Sequence, residues 1–129
     1  AEAKAVLAAL KPGHQLGVVT NCSDRLGHIA ADLLGVPFDV IITSEKAGFY
    51  KPDPAPYRLA LETAGVEPAH AVFVAGSAYD LFGTQKVGLP TIWHNRIGLT
   101  APEGAPEPLI TRPTLESLQA DLASIAVQA

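Results

Sequence analysis

Short apolar runs alternate along the chain with stretches whose apolar residues recur at helical spacing. Each run is long enough for a buried strand and is followed by small or polar residues that favour a turn. Four runs are clear, and a shorter fifth run suits an edge strand: 16–20, 38–42, 71–74, 91–93 and 109–110. Strands that alternate with helices in this way predict βαβ units, and therefore an α/β fold with a parallel sheet covered by helices on both faces.

The stretches between these runs predict helices, and the second stretch is the most regular. Ser23 is a good N-cap residue, and Asp24 suits the positive end of a helix. The apolar residues that follow recur at i, i+3, i+4, i+7 and i+8, so we expect them to point inward: Leu26, Ile29, Ala30, Leu33 and Leu34. The segment 43–50 is predicted to be a loop, and Thr114 is predicted to cap the last helix.

Composition narrows the class of protein. With 129 residues, of which 48% are hydrophobic, the chain is long enough for one domain with a core. A net charge of −4 without a Lys/Arg cluster argues against nucleic acid or an anionic membrane as partner. The sequence contains no run of about 18 apolar residues, so it predicts no membrane-spanning helix. The single cysteine fits a reducing compartment, and we expect a cytoplasmic protein.

Polar residues follow three of the predicted strands. Thr20 and Asn21 end the first, Lys51 lies in the loop after the second, and Ser77 and Asp80 follow the third. Because the carboxyl ends of parallel strands meet at one edge of a sheet, we expect these side chains to converge there. Hydrogen-bond donors beside a fixed cation would stabilise a developing negative charge, and Asp80 could hold Lys51 as its ion-pair partner.

Each of these residues also has a purely structural interpretation. Thr20 and Asn21 suit a turn, Lys51 suits a solvated surface, and Ser77 and Asp80 suit the start of a helix. The cysteine and the histidines show no sequence pattern that indicates nucleophilic catalysis or metal binding. Cys22 has no evident paired base, and the histidines lack metal-ligand spacing, so we expect them to be surface or loop residues: His14, His28, His70 and His94.

Three segments, in this order, resemble motifs II, III and IV of the haloacid dehalogenase superfamily. They are 16–21, 51–54 and 74–80, the last followed by Gly83 and Gly88. The resemblance covers nearly the whole chain. It implies a Rossmann-like hydrolase in which an aspartate attacks carbon or phosphorus, and water then hydrolyses the covalent ester.

The resemblance also assigns roles to the residues at the predicted edge. It implies that Lys51 neutralises charge beside the nucleophile and that Asp80 orients Lys51 or water, so both are candidate catalytic residues. Thr20, Asn21 and Ser77 are the candidate substrate-binding residues. The substrate would be a small acidic molecule such as a 2-haloacid.

The family's motif I, which carries the nucleophile at the end of a strand, has no counterpart here. Asp39 precedes its strand, and Asp53 lies in a proline-rich stretch. We therefore expect residues 1–129 to be the C-terminal part of a hydrolase core, without the cap domain and inactive alone. The strand that bears the nucleophile would normally lie between the strands ending at Thr20 and Ala75. We expect the missing N-terminal segment or a second copy to pair there, rather than direct pairing of the two strands.

Two alternatives to a metal-free dehalogenase stay open. In phosphatases of the family, the resemblance places a Mg²⁺ ligand four residues before Asp80, but Gly76 stands there and offers no side-chain ligand. Tyr79, an aromatic residue just before the acid, also favours the dehalogenase branch, so no cofactor is expected. A Mg²⁺-dependent phosphatase that uses Asp80 as a metal ligand is the first alternative. A non-catalytic α/β binding module is the second.

Overall fold

A computed structural model describes residues 2–128, so the two ends of the predicted domain, Ala1 and Ala129, lie outside it. Helices and strands alternate as predicted. In chain order they are α1 (Glu2–Leu10), β1 (Gly17–Thr20), α2 (Asp24–Leu33), β2 (Val40–Thr43), α3 (Ser44–Ala47), α4 (Pro54–Ala64), β3 (Phe73–Ala75), α5 (Asp80–Val87), β4 (Thr91–His94), β5 (Ile110–Arg112) and α6 (Leu118–Gln128). Short 3-10 helices occupy Lys11–Gly13 and Pro68–His70.

The strands form two separate parallel ladders. In the first, β1 pairs with β2, from Gly17 opposite Val40 to Thr20 opposite Thr43. The second has the order β3-β4-β5. Within the described chain β1 and β3 do not pair with each other, so direct pairing of these two strands does not close the gap between the ladders, in line with the expectation. Each of these strands has one edge without a backbone partner in residues 2–128, and what pairs with those edges stays a prediction.

Helices cover both faces of the sheet, as predicted. Alternate residues of β4 point to opposite sides, and each side has its own cluster. Ile92 lies in a core cluster with Leu118 of α6, whereas Trp93 lies in a cluster with Leu81 of α5. The helices α1 and α6 therefore share one face, and α5 lies on the other.

Two sets of contacts hold the ladders together despite the missing strand pairing. On one face, Leu10 and Leu16 from the β1 side pack in the same cluster as Ile92 and Leu118. On the other face, α4 contacts both β1 and β2 and also packs against α5. The carboxyl ends of β1 and β3 are thus held in place by the helices that cross between the ladders.

The predicted inward stripe of α2 is wrong. Ser23 caps this helix by accepting a hydrogen bond from Leu26 N, as expected. The buried residues, however, are Gly27 and Ala31, because the helix approaches β2 so closely that a Cβ atom on Gly27 would lie 2.5 Å from Thr43 Cγ2. Most of the stripe faces outward and is exposed: Leu26, Ile29, Ala30 and Leu33.

Two local predictions also need correction. The segment 43–50 contains the short helix α3, which Thr43 caps by accepting a hydrogen bond from Lys46 N. The last helix begins at Leu118, and Thr114 instead bonds the N–H of Glu116 in the preceding turn. Four apolar residues of this region pack in the core: Leu115, Leu118, Leu122 and Ile125. Among residues 2–128, no helix has the length and apolar character needed to cross a bilayer.

Candidate active site

The proline-rich loop that carries Lys51 leads directly into α4. Asp53 caps this helix by accepting a hydrogen bond from Ala55 N, and prolines occupy the first turn, where a missing N–H costs nothing. One turn later, Tyr57 is completely buried. Its ring meets Phe73 of β3 edge to face, with ring centroids 5.3 Å apart. This packing brings the start of α4 against β3 of the second ladder.

Lys51 and Asp80 form the predicted ion pair. Lys51 Nζ lies 3.3 Å from Asp80 Oδ1, and the two side chains are only 19% and 8% exposed. The ammonium group also lies 5.8 Å from the centre of the Phe73 ring. Asp80 is the first residue of α5, but its carboxylate makes no capping hydrogen bond to the helix, and Tyr57 OH donates a hydrogen bond to the same Oδ1. Asp80 therefore does not cap α5 with its side chain, although its charge does lie in the first turn of that helix.

Asn21 joins this group through the backbone of Lys51. Lys51 N donates to Asn21 Oδ1 at 2.7 Å, and Asn21 Nδ2 donates to Lys51 O at 3.2 Å. The end of β1, the loop before α4 and the start of α5 thus converge at one edge. Asn21, Lys51 and Asp80, which are far apart in sequence, form one connected set of contacts.

Thr20 and Ser77 flank this set without bonding to its side chains. Thr20 ends β1, and its Oγ1 lies 3.7 Å from Cys22 Sγ. Ser77 is exposed in the turn after β3, where its Oγ accepts a hydrogen bond from Tyr79 N. The structure therefore places both hydroxyls at the carboxyl ends of their strands. Their role as substrate donors stays a prediction.

Tyr57 is part of the site because its hydroxyl donates to Asp80, although it is not among the residues that the sequence predicted there. The helical spacing of apolar residues in α4 is consistent with an inward Tyr57, but it carries no sign of a partner for the hydroxyl. Burial is the main reason that the pKa of Tyr57 is raised above its ordinary value of 10.0, and the hydrogen bond to Asp80 and the charge of Asp80 add to it. Tyr57 therefore stays a neutral donor toward Asp80 at physiological pH.

The other reactive residues lie outside this set of contacts. Cys22 is half-buried beside Thr20. Three histidines are exposed, as expected: His14, His28 and His70. His94 is half-buried at the end of β4, and its Nε2 has no hydrogen-bond partner within the described part of the chain.

The side chains around Lys51 and Asp80 do not form a metal-binding site among themselves. Residues 2–128 contain no group of three His, Cys, Asp or Glu side chains placed to hold a metal ion. Gly76 stands at the position where the resemblance places a further acid in Mg²⁺-dependent phosphatases, and a Cβ atom there would meet no heavy atom within 4 Å. The carboxylate of Asp80 is already engaged by Lys51 and Tyr57. Asp80 is thus the single carboxylate of the set, and it is engaged by a cation.

Comparison with known proteins identifies the family. The profile of the haloacid dehalogenase-like hydrolase family matches residues 1–94, more than half of the chain. Haloacetate dehalogenase H-2 of Moraxella sp. (strain B) is 29% identical over 120 residues, which cover 91% of this chain and 54% of that protein. The chain therefore belongs to the haloacid dehalogenase-like hydrolase family, as its motifs predicted.

Solved structures of both branches resemble the fold. A 2-haloacid dehalogenase from Pseudomonas syringae pv. Tomato DC3000 matches with a TM-score of 0.79 and 32% identity, over 95% of this chain and 52% of that one. A HAD phosphatase from Thermococcus onnurineus matches with a TM-score of 0.79 and 34% identity, over 92% of this chain and 55% of that one. The chain thus spans about half the length of these relatives.

Proposed function

We propose that this chain supplies the charge-stabilising half of a hydrolase site that acts on a small acidic substrate such as a 2-haloacid. The observation that carries the proposal is the shielded pair of Lys51 and Asp80, with Nζ and Oδ1 3.3 Å apart at the edge where β1 and β3 end. A cation held in a poorly solvated position stabilises anionic substrates and transition states more strongly than a mobile surface lysine does.

In the proposed reaction an aspartate from outside residues 2–128 attacks the carbon that bears the halogen. The carboxylate oxygen forms an ester bond to that carbon, and the halide leaves with the electron pair of the broken bond. Water then attacks the ester carbonyl and releases the hydroxy acid. Lys51 would neutralise the attacking carboxylate, and Asp80 and Tyr57 would hold Lys51. The hydroxyls of Thr20 and Ser77 would be donors to substrate oxygens, with Asn21 beside them, where its amide binds the backbone of Lys51.

Metal-independent chemistry is part of the proposal. Gly76 contributes no side-chain oxygen ligand, and Asp80 already carries a cationic partner. The Mg²⁺-dependent phosphatase is the second candidate, because a HAD phosphatase matches this chain as well as a dehalogenase does. In that case Asp80 would be the metal ligand within this chain, and Lys51 and Thr20 would contact phosphoryl oxygens.

The complete protein, incubated with (S)-2-chloropropionate and separately with a phosphate monoester, tests the proposal. We expect chloride release that survives EDTA, and no phosphate release that depends on Mg²⁺. Repeated turnover in H₂¹⁸O should label one aspartate of the protein, because the ester is cleaved at its carbonyl. The opposite pattern, Mg²⁺-dependent phosphate release without chloride release, would favour the phosphatase.

Lys51→Ala in the complete protein is the sharpest test of the assigned cation. By analogy with the loss of one oxyanion donor, kcat should fall about 10²- to 10³-fold. Lys46→Ala is a matched control, because Lys46 is an exposed lysine on the neighbouring helix α3 and should be dispensable. Unchanged turnover in the Lys51 variant would exclude the role proposed for this residue.

A further inference from the structure

Asn21 uses both ends of its amide on a single backbone position. Its Oδ1 accepts the N–H of Lys51, and its Nδ2 donates to the C=O of the same residue, 30 positions away in sequence. We propose that Asn21 is a positioning residue that fixes Lys51, and that holding this lysine, rather than contacting substrate, is its main contribution. The inference rests on the proposed function of Lys51, and it identifies Asn21 as the residue that holds the backbone from which the ammonium group extends.

The turn that carries Asn21 is itself tied to the neighbouring strand and helix. Cys22 O accepts a hydrogen bond from Glu45 N at 3.4 Å, and Glu45 Oε1 accepts one from Asp24 N at 2.7 Å. The carboxylate of Asp24 in turn accepts from the hydroxyl of Thr43, which is completely buried. These hydrogen bonds fix the turn that carries Asn21, and a residue can position another only if its own backbone is fixed.

Lys51 needs restraint at both ends to place its charge. A lysine side chain has four flexible carbon–carbon bonds, so an ion pair at its tip alone leaves the backbone free to shift. Asn21 holds the backbone end, while Asp80 and the Phe73 ring face hold the ammonium end. A displacement of about 1 Å at a catalytic group can cost as much as 10²-fold in rate, so the backbone restraint matters for turnover.

The chain offers a matched control for this arrangement. Asn95 also forms a reciprocal pair with one backbone position, because its Nδ2 donates to Leu99 O at 2.8 Å and its Oδ1 accepts from Leu99 N at 2.9 Å. That pair spans only four residues, in the loop after β4, and involves neither Lys51 nor Asp80. Asn95→Ala therefore removes an equivalent pair of hydrogen bonds without touching the lysine.

Amide hydrogen exchange of the chain, followed residue by residue by NMR, tests the backbone restraint without any activity. In Asn21→Ala the N–H of Lys51 should exchange about five- to tenfold faster, the factor expected for one lost hydrogen bond. Asn21→Asp keeps the acceptor oxygen and should leave that exchange rate near the unmodified value. Asn95→Ala should accelerate Leu99 and leave Lys51 unchanged. Equal exchange of Lys51 in Asn21→Ala and in the unmodified chain would overturn the inference.

Steady-state kinetics of the complete protein then separate positioning from substrate binding. We expect Asn21→Ala to lower kcat by roughly 10- to 100-fold with little change in KM. A raised KM with an unchanged kcat would overturn the inference, because it is the result expected of a direct substrate ligand. If the complete protein hydrolyses no 2-haloacid, the proposed function fails, but faster exchange of Lys51 in Asn21→Ala would still establish the restraint.

Discussion

Two helices pack on the β1–β2 ladder, and they do so in opposite ways. The helix α4 inserts a large side chain, Tyr57, which is completely buried, packs against Phe73 of the second ladder and reaches Asp80 at the start of α5. The helix α2 presents only Gly27 and Ala31 to the strands, and it leaves large apolar side chains such as Leu33, 82% exposed, pointing outward. The helix α4 therefore joins the two ladders, whereas α2 only covers one of them.

The difference shows that the size of the inward residues sets what a helix contributes to the site. A small-residue face lets α2 approach β2 closely, which brings the turn before it into reach of α3 and fixes Asn21. The large inward residue of α4, Tyr57, gives Asp80 a hydrogen-bond donor. Substitutions on the two helices therefore should have unequal effects on stability.

The largest effect is expected for Tyr57→Ala. Removing a fully buried aromatic ring leaves a cavity against Phe73 and takes a donor from Asp80, so the free energy of unfolding should fall by about 3–5 kcal/mol. Urea unfolding of the chain measures this. Tyr50→Ala is the control, since Tyr50 is 71% exposed and should change stability little. Similar losses in the two variants would contradict the structure of α4.

A smaller loss is expected for Gly27→Ala on α2. Alanine favours a helix over glycine, but here its Cβ would lie 2.5 Å from Thr43 Cγ2 and 3.3 Å from Cys22 Sγ. Overpacking should outweigh the gain in helix propensity, for a net loss of about 1–2 kcal/mol. Gly76→Ala provides the comparison, because a Cβ there meets nothing within 4 Å. A stabilised Gly27→Ala variant would mean that α2 packs less closely than described.

The hydroxyl of Tyr57 should appear in the pH dependence of stability. Its pKa in the folded chain is raised above the ordinary value of 10.0, mainly by burial, so its contribution is fully present below pH 10 and is lost as the pH rises above 10. Urea unfolding between pH 8 and pH 11 should show a decline that is shallower in Tyr57→Phe. Tyr50→Phe, which alters an exposed tyrosine, should follow the unmodified chain. Parallel curves for all three proteins would contradict the raised pKa.

The sequence predicted the elements that carry the site better than it predicted their packing. Alternating apolar runs placed β1 and β3, and polar residues at strand ends placed Lys51 near Asp80, because parallel strands bring their carboxyl ends together. The hydroxyl partner of Asp80 could not be predicted, since an aromatic residue at an inward position signals packing and not the direction of its hydroxyl. The backbone pairing of Asn21 with Lys51 depends on loop conformation, for which periodicity carries no signal.

The error in α2 has a different physical cause. Helical spacing identifies an apolar face but assumes that the largest apolar residues lie inward. Here a different face of the helix holds Gly27 and Ala31, and the short distance to β2 excludes larger residues from it. The stripe that the spacing selects is real, but it faces away from the ladder.

The smallest effect is expected on that outward stripe. Leu33 is 82% exposed, so Leu33→Ser removes little buried apolar area and should change the free energy of unfolding by no more than about 0.5 kcal/mol. Leu118→Ser, at a buried position that opens α6, is the contrasting control and should cost several times more. Urea unfolding at two protein concentrations tests the comparison. A loss above about 1 kcal/mol in Leu33→Ser, or a midpoint that rises with concentration, would mean that the stripe is buried against another surface in solution. In that case the small-residue face of α2 would serve one packing partner and its large-residue face a second, and the two helices would differ in the number of surfaces they join.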